Sequence, residues 1–411
     1  MNEAQTIIYL YPGEADAHGI HHQKAQLRAS ATRQLGYTSY ALNLYSDTFL
    51  QDLTKLTKPG DIVFAGRNGY DAQIQIGRTA RHLFDALSLK VVATLADHPF
   101  TEFMIPLLTK ASPNTTFFAT SCLAEELKTF YPQLKNIKSL PWQLLTAPND
   151  DEREDQIFTA YSERDIDILI PLGLHKFANL GNVNQKIKKF PVKYQKIAKG
   201  IFEEKKKYWQ EPILTAFKRN YKVIHGTEFI AANLSLEEVI LWMKLLSLMD
   251  WTFRYYKRII IIRKIFQKTK DQRIVITATR DIVQKFFPEQ SNSKIEYIGQ
   301  IANENLKKLY RRSKIVVNSN PGYDSLVSER IRNAMLSGCS VLSDKNSILE
   351  DTFGHKEEIF YFEDNGLENI VDINIKDIER VGHNSRTRIK EQIGSYTAQD
   401  LVGIFCKTLP R

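Results

Sequence analysis

Short, unbroken apolar runs recur along the chain, each followed by a longer stretch with helical spacing. In the first 145 residues the runs are TIIYLY (6–11), YALNL (40–44), DIVFAG (61–66), KVVATLA (90–96) and TTFFAT (115–120). Between the first two lies HHQKAQLRASATRQLGY, amphipathic at the helical period. Continuous Ile, Val, Leu and Phe runs suit strands covered on both faces, as in a parallel sheet with crossover helices. A second series opens at DIDILIPLG (165–173). It continues through RIVITAT (273–279), KIEYIG (294–299), KIVVNSN (314–320), CSVLSD (339–344) and EEIFYF (357–362). The acidic, polar residues 147–165 between the two series are the expected linker. The pattern predicts an α/β protein of two doubly wound parallel-sheet domains, over residues 1–150 and 160–390. A last helix over 391–411 is expected to pack back on the first domain.

The second series is interrupted after its first strand by a mostly helical insertion, about residues 176–270. Its longest helix begins at NLSLEEVILWMKLLSL, where Ser235 and Glu238 have the spacing of a capping box. That helix is apolar on most of its circumference, which predicts burial against other elements, a membrane surface being the alternative.

Composition narrows the classes. With 411 residues and 43% hydrophobic residues, the chain can build two cores. No run of eighteen apolar residues occurs, so no membrane span is expected. MNEAQTIIYLYPGE is not basic and then apolar, so a signal peptide is not expected either. Cys122, Cys339 and Cys406 are far apart, odd in number and without metal spacing, which suits a reducing compartment. The net charge of +9 is uneven, for 176–270 holds 21 Lys and Arg against 7 Asp and Glu. Such a segment predicts an anionic partner or, alternatively, a solvated helical face. Aromatics interleave with basic residues at KKKYWQ and FRYYKR, yet no nucleic-acid motif accompanies them.

In open α/β sheets ligands bind at the carboxyl ends of the strands, which directs attention to the polar residues there. KVVATLA ends at Asp97-His98-Pro99, a carboxylate beside a histidine that can serve as general base. TIIYLY leads into a loop with Gly19, His21 and His22 before a helix, and DIVFAG into Arg67 and Asn68, candidates for the acceptor or sugar side. In the second series Lys176 and Arg280 follow strands and could meet phosphate, while Gln300 and Ile301 could read a base edge. NSNPGYDSLVSERIRNAM places Asn318, Asn320, Gly322 and Tyr323 in a loop. Ser325 or Ser328 then caps a helix that begins with Glu329 and Arg330. No D-x-D stands at a strand end, so no metal site is expected.

The segment NSNPGYDSLVSERIRNAMLSGCSVLSDKNSILEDTF, with YIGQIANENLKKLYRRSKIVVN before it, resembles the nucleotide-binding part of GT-B glycosyltransferases, in particular the family 1 or CgeB-like group. LADHPF and the C-terminal GHNSRTRIKEQIGSYTAQDLVGIF fit the same group. The resemblance implies a GT-B fold of two Rossmann-like domains facing a cleft, and metal-independent transfer from a nucleotide-sugar without a cofactor. It implies that Glu329, Arg330, Asn318, Asn320, Gly322 and Tyr323 lie at the donor and Asp97 and His98 at the reacting centre. Some members carry a second Glu where this chain has Asn333, and some a His where it has Ser328. The expected acceptor is a glycan, lipid-linked glycan or protein, as in bacterial surface polysaccharide, lipooligosaccharide or protein glycosylation. The expected place is cytoplasmic, peripheral to an anionic membrane through 176–270. A nucleotide-sugar epimerase and a non-catalytic GT-B-like binding protein are the alternative readings.

Overall fold

The computed structural model describes residues 5–13, 20–66, 69–77, 79–145, 159–174, 183–208, 211–269, 271–288, 294–320, 326–362, 375–394 and 398–408. The chain forms two compact units. One comprises Met1–Arg153, Ile230–Lys244 and Ile393–Arg411, the other Glu154–Phe229 and Leu245–Gln392. Residues 230–244, read from the sequence as part of the second domain's insertion, thus cluster with the first unit. Of the expected linker, 147–158 lie outside the described residues.

The first unit has strands β1 (Thr6–Tyr11), β2 (Thr38–Asn43), β3 (Ile62–Ala65), β4 (Gln73–Ile76), β5 (Thr79–His82), β6 (Lys90–Leu95), β7 (Thr116–Ala119) and β8 (Ile137–Ser139). Its helices include α1 (Ile20–Gln34), α2 (Phe49–Leu56), α3 (Leu83–Ala86), α4 (Met104–Thr109), α5 (Ser121–Phe130) and α6 (Trp142–Leu145). The main sheet runs β2-β1-β3-β6-β7-β8, and every pairing in it is parallel. Consecutive residues Ile7, Ile8 and Tyr9 are all buried, because helices cover both faces. Each such side chain contributes roughly 1.5–3 kcal/mol on leaving water. The apolar-run pattern does not reveal β4 and β5. They form an antiparallel hairpin turning at Gly77, whose φ is +60°, and their alternating polar residues are largely exposed.

The second unit contains β9 (Ile166–Ile170) and the helices α7 (Val183–Ile187), α8 (Val192–Lys207) and α9 (Ile213–His225). Next comes the long α10 (Leu236–Lys268), which begins in the first unit's segment. There follow β10 (Ile274–Ile276), α11 (Arg280–Phe286), β11 (Ile295–Tyr297), α12 (Asn303–Arg312) and β12 (Ser313–Val317). The series closes with α13 (Glu329–Leu336), β13 (Ser340–Ser343), α14 (Ser347–Thr352), β14 (Phe360–Tyr361) and α15 (Ile375–Gly394). The sheet order is β11-β10-β9-β12-β13-β14, again entirely parallel. The capping box of α10 is formed: Glu238 N–H donates to Ser235 Oγ at 3.3 Å and Ser235 N–H to the Glu238 carboxylate at 3.4 Å. The α10 residues Ile259, Ile261, Ile262 and Ile265 enter the core with Ile170, Ile276 and Val317. Burial is therefore the fate of this apolar helix, and among the described residues no helix is long and apolar enough to cross a membrane.

A last helix, α16 (Ala398–Thr408), belongs to the first unit. Its Leu401, Val402 and Phe405 join a core with Ile7, Tyr9, Phe64, Val92 and Phe118. The Phe405 ring centre is 4.7 Å from both Phe64 and Phe118.

Candidate functional site

Both sheet orders reverse direction once, and each reversal opens a crevice at the carboxyl end of the strands. In the second sheet the switch falls between β9 and β12. The residues just beyond those strands are polar and buried. Asn318, Ser319 and Asn320 follow β12, and Ser343 and Asp344 stand at the end of β13; none is more than 3% exposed. Asn318, Asn320, Ser343 and Asp344 form one network, while the Ser319 hydroxyl has no hydrogen-bond partner among the described residues. Asn318 Nδ2 donates to Ser343 Oγ at 2.9 Å and to Asn320 Oδ1 at 3.0 Å, and the Asn320 N–H donates to Asp344 Oδ1 at 2.7 Å. Buried polar groups are tolerated when so satisfied, and their network fixes the strand-end loops. Ser328 is the cap of α13, its hydroxyl accepting from Ile331 N–H at 3.3 Å. Arg330 Nη1 donates to Asn318 Oδ1 at 2.9 Å, which ties the start of α13 to the end of β12. Glu329 is half-exposed at the first position of that helix and pairs with Arg332 at 3.5 Å.

Cations crowd this edge. Lys257 pairs with Asp344, and the adjacent Arg258 donates to the Gly173 carbonyl beyond β9 at 2.9 Å. Arg254 pairs with Asp250 at 2.7 Å. Lys205, from α8, donates to the Glu211 carbonyl and is only 5% exposed. Burial pushes the Arg258 guanidinium down to about 9, helped by Arg330 and Arg254 and opposed by Asp344 and Asp250. Burial and then the Lys257 charge push Lys205 down to about 7. Arg330 is also lowered, chiefly by burial. These shifts have one physical sense: desolvation and mutual repulsion outweigh the local carboxylates, so an added anion would be stabilised here.

Sequence reasoning missed Lys205, Lys257, Arg258 and Asp344. The available signal was a pair of basic residues inside the apolar RYYKRIIII run, where each charge would have to find a buried polar partner. Of the expected donor residues, Asn318, Asn320, Ser328, Glu329 and Arg330 come together. Arg280 is exposed at the first position of α11, and Gln300 and Ile301 follow β11. All three lie across β9 from the network and share no hydrogen bond with it among the described residues. Lys176, Gly322, Tyr323 and Ser325 lie outside the described residues.

In the first sheet the switch falls between β1 and β3. A cavity of about 330 Å³ opens at the ends of β1, β3 and β6, with Tyr11, Gly66, Ala96 and Asp97 on its rim. A side chain at position 13 would be strained, since φ is +53° and a Cβ would sit 2.4 Å from Asn43 Oδ1, which would have to move. His21 lines the cavity, while His22 stacks on Tyr11 with ring centres 4.4 Å apart. Gly19, Arg67 and Asn68 lie outside the described residues. Asp97 is half-buried at the cavity wall, but His98 is turned into the core with no exposed surface. Its Nδ1 meets the Glu126 carboxylate at 2.7 and 2.9 Å, and its ring stacks on Phe100 at 4.6 Å. The sequence expectation of His98 as a base supported by Asp97 is therefore revised: the side chain facing the cavity is Asp97. Among the described residues, no group of three His, Cys, Asp or Glu is arranged to hold a metal ion.

Comparison with known proteins agrees with this architecture. Residues 258–399 match the glycosyl transferase-like family. Solved structures share the fold along nearly the whole chain. A sucrose-phosphate synthase from Thermosynechococcus elongatus superposes with a TM-score of 0.53 at 11% identity, covering 98% of both chains. An alpha-glucosyltransferase in complex with UDP-glucose and DNA containing an abasic site gives 0.52 at 10% identity, covering 98% of this chain and 99% of that one. Anabaena HepE, in complex with UDP and glucose, gives 0.50 at 9% identity, covering 98% of this chain and all of the other. No curated protein matches the sequence. The GT-B resemblance drawn from the sequence thus holds for the C-terminal family match and for the fold, two Rossmann-like parallel-sheet units.

Proposed function

We propose that the protein is a glycosyltransferase that takes a sugar from a nucleoside-diphosphate donor held by the second unit. The observation that carries this reading is the group of buried and half-buried cations, Lys205, Lys257, Arg258 and Arg330, at the switch point of the second sheet beside the start of α13. Lysine and arginine there meet the two negative charges of a diphosphate, and the helix N-terminus adds its partial positive charge. Glu329, half-exposed at that terminus, is placed to accept from ribose or sugar hydroxyls. The family match over 258–399 supports the reading, and the names of two fold neighbours make UDP the first nucleotide to try.

In the transfer, the bond between the anomeric carbon and the diphosphate oxygen breaks and a bond to an acceptor oxygen forms. The acceptor hydroxyl gives its proton to a base, and the electron pair leaves on the nucleoside diphosphate. Asp97 is the proposed base, and the His98–Glu126 pair behind it positions its segment. The charge on the leaving group is met by the side chains already named.

A thermal-shift panel of UDP, GDP, ADP, CMP and dTDP tests the donor site. A nucleotide at a hundred times its Kd stabilises its site by about 2.7 kcal/mol. One nucleotide should raise the midpoint, and Lys257→Met and Arg258→Met should each abolish most of the rise. If no nucleotide shifts the wild type, the transferase reading falls. If the shift survives both substitutions, the nucleotide binds elsewhere.

A further inference from the structure

The cavity of the first unit has a chemistry that the donor site does not account for. One wall is α1, which presents His21, Lys24, Ala25 and Arg28 on a single stripe. The other walls mix aliphatic residues with aromatic ones: Tyr9 stacked on Phe64 at 4.7 Å, Tyr11, and Tyr70, whose hydroxyl is held by the Thr94 carbonyl at 2.6 Å. Among the described lining residues Asp97 is the one carboxylate, set against Lys24, Arg28 and His21.

Arg28 is the informative member. Its side chain is half-buried between α1 and the sheet, next to the fully buried Ala29. Burial lowers its guanidinium from the ordinary value, and the opposing electrostatic influence comes from Tyr9. The Tyr9 hydroxyl is itself engaged with Thr32 Oγ1 at 2.8 Å. Among the described residues no carboxylate pairs with the Arg28 guanidinium. A partly desolvated arginine with no acidic partner is costly in a purely structural role. It is useful where a planar, bidentate anion must be fixed. Ala25, one turn from Arg28 on the same helical face, also lines the cavity.

We propose that this cavity binds a small anionic sugar, its phosphomonoester or carboxylate held by Arg28 and Lys24 and its ring lying against the tyrosines. A volume of about 330 Å³ is at the small end of ligand pockets, roughly 300–1,000 Å³, and fits one sugar unit and its charged group. On the transferase reading, on which this role rests, the bound sugar is the acceptor, and Asp97 on the rim faces its hydroxyls. The anion site itself stands without that reading.

The test is a calorimetric titration of the full-length chain with glucose 6-phosphate, glucuronate and glucose, with UDP titrated in parallel. The wild type should bind at least one charged probe and not glucose, with affinity falling as salt rises. Arg28→Gln and Lys24→Gln should each weaken that binding at least tenfold and leave UDP affinity unchanged. Preference for glucose 6-phosphate assigns a phosphomonoester, and preference for glucuronate a carboxylate. The proposal is overturned if no charged probe binds, if glucose binds as well, or if binding survives both substitutions. It is equally overturned if the substitutions weaken UDP as much as the probe, which would make the cavity part of the donor site. A chain that binds the charged probe but no nucleotide would lose its donor assignment and keep this site.

Discussion

His98 Nδ1 lies 2.7 Å from Glu126 Oε2, and neither side chain reaches solvent. The pair links the loop after β6 to α5, with Tyr131 adding a hydrogen bond to the Pro99 carbonyl at 2.9 Å. The carboxylate accepts a hydrogen bond from Nδ1–H and so fixes the histidine tautomer. Removing one member of such a buried pair strands the other, at a cost of about 3–5 kcal/mol. Glu126→Ala should therefore lower the unfolding midpoint steeply. Asp97→Asn should leave that midpoint nearly unchanged and remove most of kcat. Equal thermal losses in the two variants would contradict this division of roles.

Arg164 gives a second stability prediction. It donates to the carbonyls of Thr159 at 3.1 Å, Ser313 at 2.6 Å and Ser337 at 2.8 Å, and lies over the Tyr161 ring at 4.6 Å. Arg164→Met keeps much of the volume but leaves buried carbonyls without a donor, each worth about 1–3 kcal/mol. Urea unfolding should show a loss of several kcal/mol with UDP affinity intact in the folded fraction. Gly382→Ala should act at the same place, because a Cβ would lie 2.6 Å from both the Gly338 carbonyl and the Tyr161 hydroxyl.

Lys205 sets a pH dependence with a definite sign. Its folded value is about 7, against 10.5 ordinarily. Between these values the unfolded chain holds the proton and the folded chain does not, so stability rises with pH across that window, by roughly 1.4 kcal/mol per pH unit from one group. Below pH 7 the folded state bears the full penalty of a buried charge. Lys205→Met should flatten the slope of stability against pH between 7 and 10. Diphosphate binding works in the opposite sense, for the anion favours the protonated lysine. UDP binding at pH 8 should take up protons, seen as a buffer-dependent heat in HEPES and Tris, and the uptake should vanish in the variant.

Chelation tests the role given to the cations. If Lys257, Arg258 and Arg330 neutralise the leaving diphosphate, EDTA should leave turnover unchanged. Loss of turnover with EDTA and its recovery with a divalent ion would move that role to a metal.

The strands were legible because a buried parallel strand writes itself as an apolar run: KVVATLA and KIVVNSN begin β6 and β12 at or within a residue of their observed starts. The hairpin β4–β5 was not, since QIQI and TARH face solvent and carry no such run. The loop carrying Asn318 and Asn320 was legible as a hydrogen-bonded strand end because polar residues after a buried strand need partners. Lys257 and Arg258 were hidden for the converse reason. In a helix that is apolar nearly all round, two charges read as interruptions until their partners, Asp344 and Gly173, are brought in from 87 and 85 residues away in sequence. His98 looked chemical beside Asp97, but its partner Glu126 lies 28 residues on and turns it inward.

One turn of α10 reaches two strand ends at once, Lys257 to the end of β13 and Arg258 to the loop beyond β9. Long cationic side chains in free solution each have up to about 2 kcal/mol of rotamer entropy to lose when a ligand orders them. Here that freedom is already gone before any nucleotide arrives, because Asp344 and the Gly173 carbonyl hold both heads and the core holds both stems. Ordering these two side chains is thus part of the folding free energy, and in the proposed donor site a diphosphate would meet charges already fixed in place.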